Sequence, residues 1–125
     1  LDRGSCDPHY RKAIRVSVGH ALRVPFATVA DEEAALDALE RAGTRALALT
    51  PGGALAVEDA RPTGPTALVV GAEGPGLRPG VLDRVETLRI DMPGRIDSLN
   101  VATAAAIALH RLSSQAAWRL ASAPK

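Results

Sequence analysis

Two short apolar runs that end in glycine turns constrain this chain most. Residues 45–50 (Arg-Ala-Leu-Ala-Leu-Thr) run into Pro51-Gly52-Gly53, and residues 66–70 (Thr-Ala-Leu-Val-Val) run into Gly71-Ala72-Glu73-Gly74-Pro75-Gly76. Neither run alternates polar with apolar, which is the pattern of strands covered on both faces of a parallel sheet. Parallel strands require crossovers, and helical segments are available to make them. Asp31 opens a helix with Ala34, Ala35, Leu36, Ala38, Leu39 and Ala42 at helical spacing, and Gly43 ends it. Residues 85–90 read as a further strand, 79–83 as a short helix, and 54–65 as a loop with a short turn. Ser98 starts a last helix that reaches about residue 121. Near the start, Asp7-Pro8 reads as a helix cap for residues 9–18, stopped by Gly19, and residues 24–29 read as a short strand. Strands alternating with helices predict an α/β domain with a mostly parallel sheet, spanning residues 1–125 as one unit.

Composition narrows the compartment and the partners. With one Trp, one Tyr and one Phe, the core must come from Ala, Val, Leu and Ile. A single cysteine, Cys6, excludes an internal disulfide framework, reads as incidental to the chemistry and fits the reducing cytoplasm. No apolar run reaches the roughly 18 residues of a membrane helix. His9, His20 and His110 show no metal-ligand spacing, so no metal is expected. The net charge is only +1, yet residues 1–24 hold Arg3, Arg11, Lys12, Arg15 and Arg23 against Asp2 and Asp7. That end can face phosphate, or it can be an ordinary solvated helix face.

The loop at Gly71–Gly76 invites comparison with a dinucleotide-binding turn, because Asp91 follows Gly71 at the distance of a ribose-binding acid. Three features oppose it. The spacing is G-x-x-G-x-G, Glu73 places a negative charge where pyrophosphate would lie, and only a short helix follows. A cationic sulfonium nucleoside suits the loop better.

The segment from Asp91 to Ala102 (Asp-Met-Pro-Gly-Arg-Ile-Asp-Ser-Leu-Asn-Val-Ala) carries a second signature. Together with Leu68-Val69-Val70-Gly71-Ala72-Glu73-Gly74 it resembles the SPOUT superfamily, in its SpoU-type (TrmH-like) branch. That branch has a G-x-E-G-x-G loop followed by I-x-M and S-L-N-V. The stretch from Cys6 to Gly19 is similar to the family's D-P-x-x-R-x-A-x-R-x-S-x-G stretch. Order and spacing agree over nearly the whole chain.

The resemblance implies a fold with a trefoil knot, an exception to the usual rule against threading. It also implies S-adenosylmethionine as cofactor, RNA (rRNA or tRNA) as partner, a homodimer and transfer of methyl to a ribose 2′-hydroxyl. Cofactor contacts would fall to Thr50, Gly71, Glu73, Gly74, Ile90, Met92, Ser98 and Leu99. Glu73, Ser98 and Asn100 would serve catalysis by shaping the pocket and positioning the hydroxyl. On the residues alone, Ser98 is equally a helix cap and Asn100 a first-turn side chain that fixes a loop. Arg11 and Arg15 would hold RNA phosphate, or would be two solvated arginines. Val101, Ala104, Ala105 and Ala108 can serve a helix contact between subunits or an internal one, with Trp118 and Leu120 able to anchor a partner. The family's N-x-G-x-x-x-R motif, whose Arg is credited with helping to deprotonate the hydroxyl, has no match here. The first strand and helix of the fold are therefore expected to be missing, and this stretch alone to be inactive. The alternative is a non-catalytic RNA-binding or dimerisation module of the same fold.

Overall fold

Asp31 and Gly43 bracket the best-defined amphipathic helix of the chain, and both act as their chemistry dictates. In the computed structural model, which describes residues 1–94 and 99–115, the Asp31 Oδ1 accepts the Ala34 N–H at 2.8 Å. Glu32 and Glu33 occupy the first turn of α2 (Glu32–Arg41), where the helix dipole favours negative charge. Gly43 adopts φ +64° and its N–H donates to the Glu40 carbonyl, closing the helix.

The chain divides into two compact units, Leu1–Ala38 and Leu39–Lys125, and α2 spans the division. The first unit holds α1 (Arg11–Val16) and a 3-10 turn (His20–Leu22). Helix α1 starts later than the sequence suggests. The Asp7 side chain takes the His9 N–H at 2.8 Å and its carbonyl takes the Tyr10 N–H. A local turn therefore consumes the would-be cap. After Val16 the chain leaves the helix through left-handed Val18 (φ +52°) and Gly19 (φ +81°), with the Gly19 N–H donating to the Ile14 carbonyl. Residues 24–29 are not a strand, which corrects the expectation. Pro25 has no N–H to give, and among the described residues the long-range backbone bonds there run to Leu1: its N-terminal amine donates to the Ala27 carbonyl and the Val29 N–H donates to its carbonyl.

The second unit contains the sheet. Strands β1 (Arg45–Leu49), β2 (Leu55–Ala56), β3 (Thr66–Val69) and β4 (Glu86–Arg89) lie in the order β2-β4-β1-β3, every pairing parallel. The two-residue β2 falls in the stretch read as loop. Register sets Leu47 beside Leu68 and Glu86, and Leu49 beside Leu88. Arg45 and Glu86 form an ion pair across β1 and β4. Helix α3 (Pro79–Leu82) buries Val81, and α4 (Val101–Gln115) buries Ala108 and Leu112.

These two residues join Leu47, Val57, Ala60 and Leu88 in the core. Burying each of the fully buried side chains Leu47, Leu88 and Val57 contributes about 1.5–3 kcal/mol. Of the small residues of α4, Ala108 therefore serves the internal packing, which removes it from the candidate subunit contact. Ser98, Trp118 and Leu120 lie outside the described residues, as does any extension of α4 past residue 115. No described helix is long and apolar enough to cross a membrane.

Candidate functional site

Three chain segments at the C-terminal ends of parallel strands converge on one cavity of about 430 Å³. Open parallel sheets place their ligand sites at such ends, and the volume lies in the range of small-molecule pockets. Leu49, Thr50 and Pro51 come from the end of β1. Val70 to Gly74, with Gly76 and Leu77, come from the loop after β3. Ile90 and Met92 follow β4, and Leu99, Asn100, Val101 and Ala104 form the entry to α4.

The glycine loop owes its shape to contacts within itself. The Gly76 N–H donates to the Ala72 carbonyl at 3.1 Å, and a Cβ on Gly71 would overlap the Gly76 carbonyl and the Leu77 nitrogen. Gly71 is thus required by its own loop. Gly74 (φ +92°) and Gly76 (φ +69°) take left-handed conformations that side chains disfavour.

Asn100 links this loop to the helix. Its Oδ1 accepts the Ala102 N–H at 3.0 Å and the Thr103 N–H at 3.4 Å, and its carbonyl accepts the Ala104 N–H. It is the N-cap of α4, a role the sequence reading offered to Ser98. With Oδ1 so engaged, Nδ2 is free to donate, and it meets Glu73 Oε1 at 3.2 Å. The amide orientation follows from the hydrogen bonds: the reversed one would set an oxygen against a carboxylate.

Thr50, Gly71, Glu73, Gly74, Ile90, Met92, Leu99 and Asn100 are brought together around this cavity. Gly71 and Leu99, 28 positions apart in the chain, share it. Arg11 and Arg15 are exposed on α1 in the first unit. Asp91 does not line the cavity; Arg89 Nε holds its carboxylate at 2.7 Å. Pro51, Leu77, Val101 and Ala104 line the site without having been singled out for it. Ala104 stands one turn beyond Asn100, so the helical period could have placed it there.

A model of the SpoU rRNA methylase family matches residues 1–110. The chain belongs to this family. Among SpoU relatives, an uncharacterized tRNA/rRNA methyltransferase of Mycobacterium bovis is 48% identical over 117 residues, covering 86% of this chain and 39% of the relative. A 23S rRNA (guanosine-2′-O-)-methyltransferase, RlmB, of a Burkholderia species is 35% identical over 109 residues, covering 86% and 44%. The crystal structure of the SpoU methyltransferase AviRb from Streptomyces viridochromogenes, in complex with AdoMet, superposes with a TM-score of 0.82 at 28% identity. It covers 92% of this chain and 48% of that one. The chain thus spans less than half the length of each of these relatives.

Proposed function

We propose that the protein is an S-adenosylmethionine-dependent RNA 2′-O-ribose methyltransferase of the cytoplasm, acting on rRNA or tRNA as a homodimer. The observation that carries this reading is the convergence of the glycine loop and the Leu99–Asn100 turn on one cavity in a SpoU family member. The donor set fits the cofactor. Among the described lining residues the one ionisable side chain is Glu73, whose negative charge suits a sulfonium and opposes a pyrophosphate.

When bound, the cofactor supplies an electrophilic methyl group on sulfur. Around it, the backbones of Gly71, Ile90 and Leu99 would bind the nucleoside. Leu49, Val70, Leu77 and Ala104 would exclude water. The Glu73–Asn100 pair, together with Ser98, would orient the ribose hydroxyl, and such positioning lowers the entropic cost of the transfer. Arg11 and Arg15 would neutralise RNA phosphate. The loops at residues 71–76 and 91–99 are where the trefoil knot would close. For the dimer, exposed Ile107 and Leu109 offer α4 a surface apart from its buried Ala108 and Leu112.

A second reading, a non-catalytic module of the same fold, draws on the same lining. No Lys, Arg or His is among its described residues to assist deprotonation of a weakly acidic hydroxyl. Calorimetry of the full-length protein with S-adenosylhomocysteine tests the cofactor claim. Binding at one site per chain, from a species of twice the chain mass, is expected. A monomer that binds nothing contradicts it.

A further inference from the structure

Two of the cavity walls belong to short turns rather than to helix or strand. Residues 51–54 form a Pro-Gly-Gly-Ala turn between β1 and the two-residue β2, and residues 91–94 an Asp-Met-Pro-Gly loop after β4. Pro51 stands on the first wall and Met92 on the second. Such turns lose conformational entropy when a ligand requires one arrangement, so whatever fixes them beforehand favours binding.

The last residue of β4 reaches both. Arg89 Nη1 donates to the carbonyls of Gly53, at 3.2 Å, and Ala54, at 2.8 Å. Its Nε donates to Asp91 Oδ1 at 2.7 Å. A planar guanidinium can serve these divergent acceptors at once, where an ammonium on a flexible stem cannot hold the same geometry. The rest of the first turn is already pressed on β4. The Ala54 N–H donates to Thr87 Oγ1 at 3.0 Å, and a Cβ on Gly53 would overlap the Leu88 carbonyl. Arg89 completes that attachment by satisfying two carbonyls, and it carries the link onward to Asp91, next to Met92.

We infer that Arg89 is a positioning residue for the cavity, a clamp that sets the Pro51 wall and the Met92 wall at the spacing a nucleoside requires. Arg89 does not itself line the cavity, so it acts through the two turns. Its side chain is 36% exposed and that of Asp91 62%. The ion pair by itself therefore contributes little to stability, and the effect belongs to the geometry of the turns. The inference rests on the proposed binding of S-adenosylmethionine in this cavity.

The test is calorimetric titration of S-adenosylhomocysteine into the full-length protein and its Arg89→Met, Arg89→Lys, Asp91→Asn and Arg89→Met/Asp91→Asn variants, well below their melting temperatures. Arg89→Met should weaken Kd by about tenfold, as loss of preorganisation implies. Arg89→Lys should recover only part of it. Asp91→Asn should weaken binding about threefold in the presence of Arg89 and have no effect once Arg89 is gone, the signature of action through Arg89. A purely structural role would lower the melting temperature of the variants and leave their Kd unchanged, which overturns the inference. Wild-type binding with an unaltered Arg89→Met overturns it alone. Failure of the unsubstituted protein to bind overturns the cofactor assignment, and this inference with it.

Discussion

Replacing Gly71 with alanine is expected to weaken binding of S-adenosylhomocysteine by about 100-fold, taking as its scale the loss in rate that a misplacement of about 1 Å causes in a reaction. The reason is space. The new Cβ would overlap the Gly76 carbonyl and the Leu77 nitrogen, and would stand 2.6 Å from the Gly76 oxygen. All of these are backbone atoms, which cannot rotate aside, so the turn closed by the Gly76 N–H to Ala72 carbonyl bond must open. Gly71, Gly76 and Leu77 all line the cavity, so the movement is delivered straight to the ligand. Gly74 provides the comparison. Its φ of +92° strains any side chain, but nothing lies within 4 Å of its Cβ position. Gly74→Ala should therefore cost at most about tenfold, the scale of left-handed strain. Calorimetry on both variants checks this. Equal, small losses at the two glycines would contradict the packing account of Gly71.

Asn100→Asp is expected to reduce methyl transfer by about 100-fold, a size typical of groups that position reacting partners, while leaving the fold nearly as stable. Aspartate keeps an acceptor for the Ala102 and Thr103 N–H groups and is as good an N-cap as asparagine. What it loses is the donor that meets Glu73, and in its place a second carboxylate stands at hydrogen-bond distance from the first. Both side chains are exposed, so water screens the repulsion and the melting temperature should shift by only a few degrees. The geometry changes more, because the link between the glycine loop and α4 is gone. Adding Glu73→Gln restores a donor on the other side of the gap. The double variant should return S-adenosylhomocysteine affinity to within about threefold of wild type if the link, not the charge, sets the pocket. Single-turnover rates and Kd values for the four proteins test the point. An Asn100→Asp protein of full activity would show that the Asn100–Glu73 bond has no role.

Local chemistry was legible and nonlocal pairing was not. Asp31 and Gly43 bound α2 because a carboxylate accepts N–H groups and a glycine takes positive φ, whatever else surrounds them. Strands β1, β3 and β4 fell within a residue or so of their apolar runs. Residues 24–29 have strand-like composition, but a strand needs a neighbour, and among the described residues the backbone partner there is Leu1. Conversely, Leu55–Ala56 carries no strand pattern and becomes β2 because β4 lies beside it. Asp7 was a plausible cap whose side chain found a nearer N–H.

In the site, the two motifs read from the sequence did meet in space. On the residues alone Asn100 fixes a loop, but not which one; that it meets Glu73, and that Arg89 reaches the turn at Gly53–Ala54, depends on segments brought together by the sheet order. The fit of Gly71 against Gly76 and Leu77 and the capping of α4 by Asn100 are local, and were hidden because they turn on the exact conformation of a loop.

The most direct measurement incubates the full-length protein and methyl-labelled S-adenosylmethionine with unmodified rRNA and tRNA, then digests the RNA and separates its nucleosides. The label should elute as a 2′-O-methyl nucleoside, at a phosphodiester made resistant to alkali by the blocked hydroxyl. Label on a base, or RNA without label from a protein that binds S-adenosylhomocysteine, would contradict ribose methylation at this cavity.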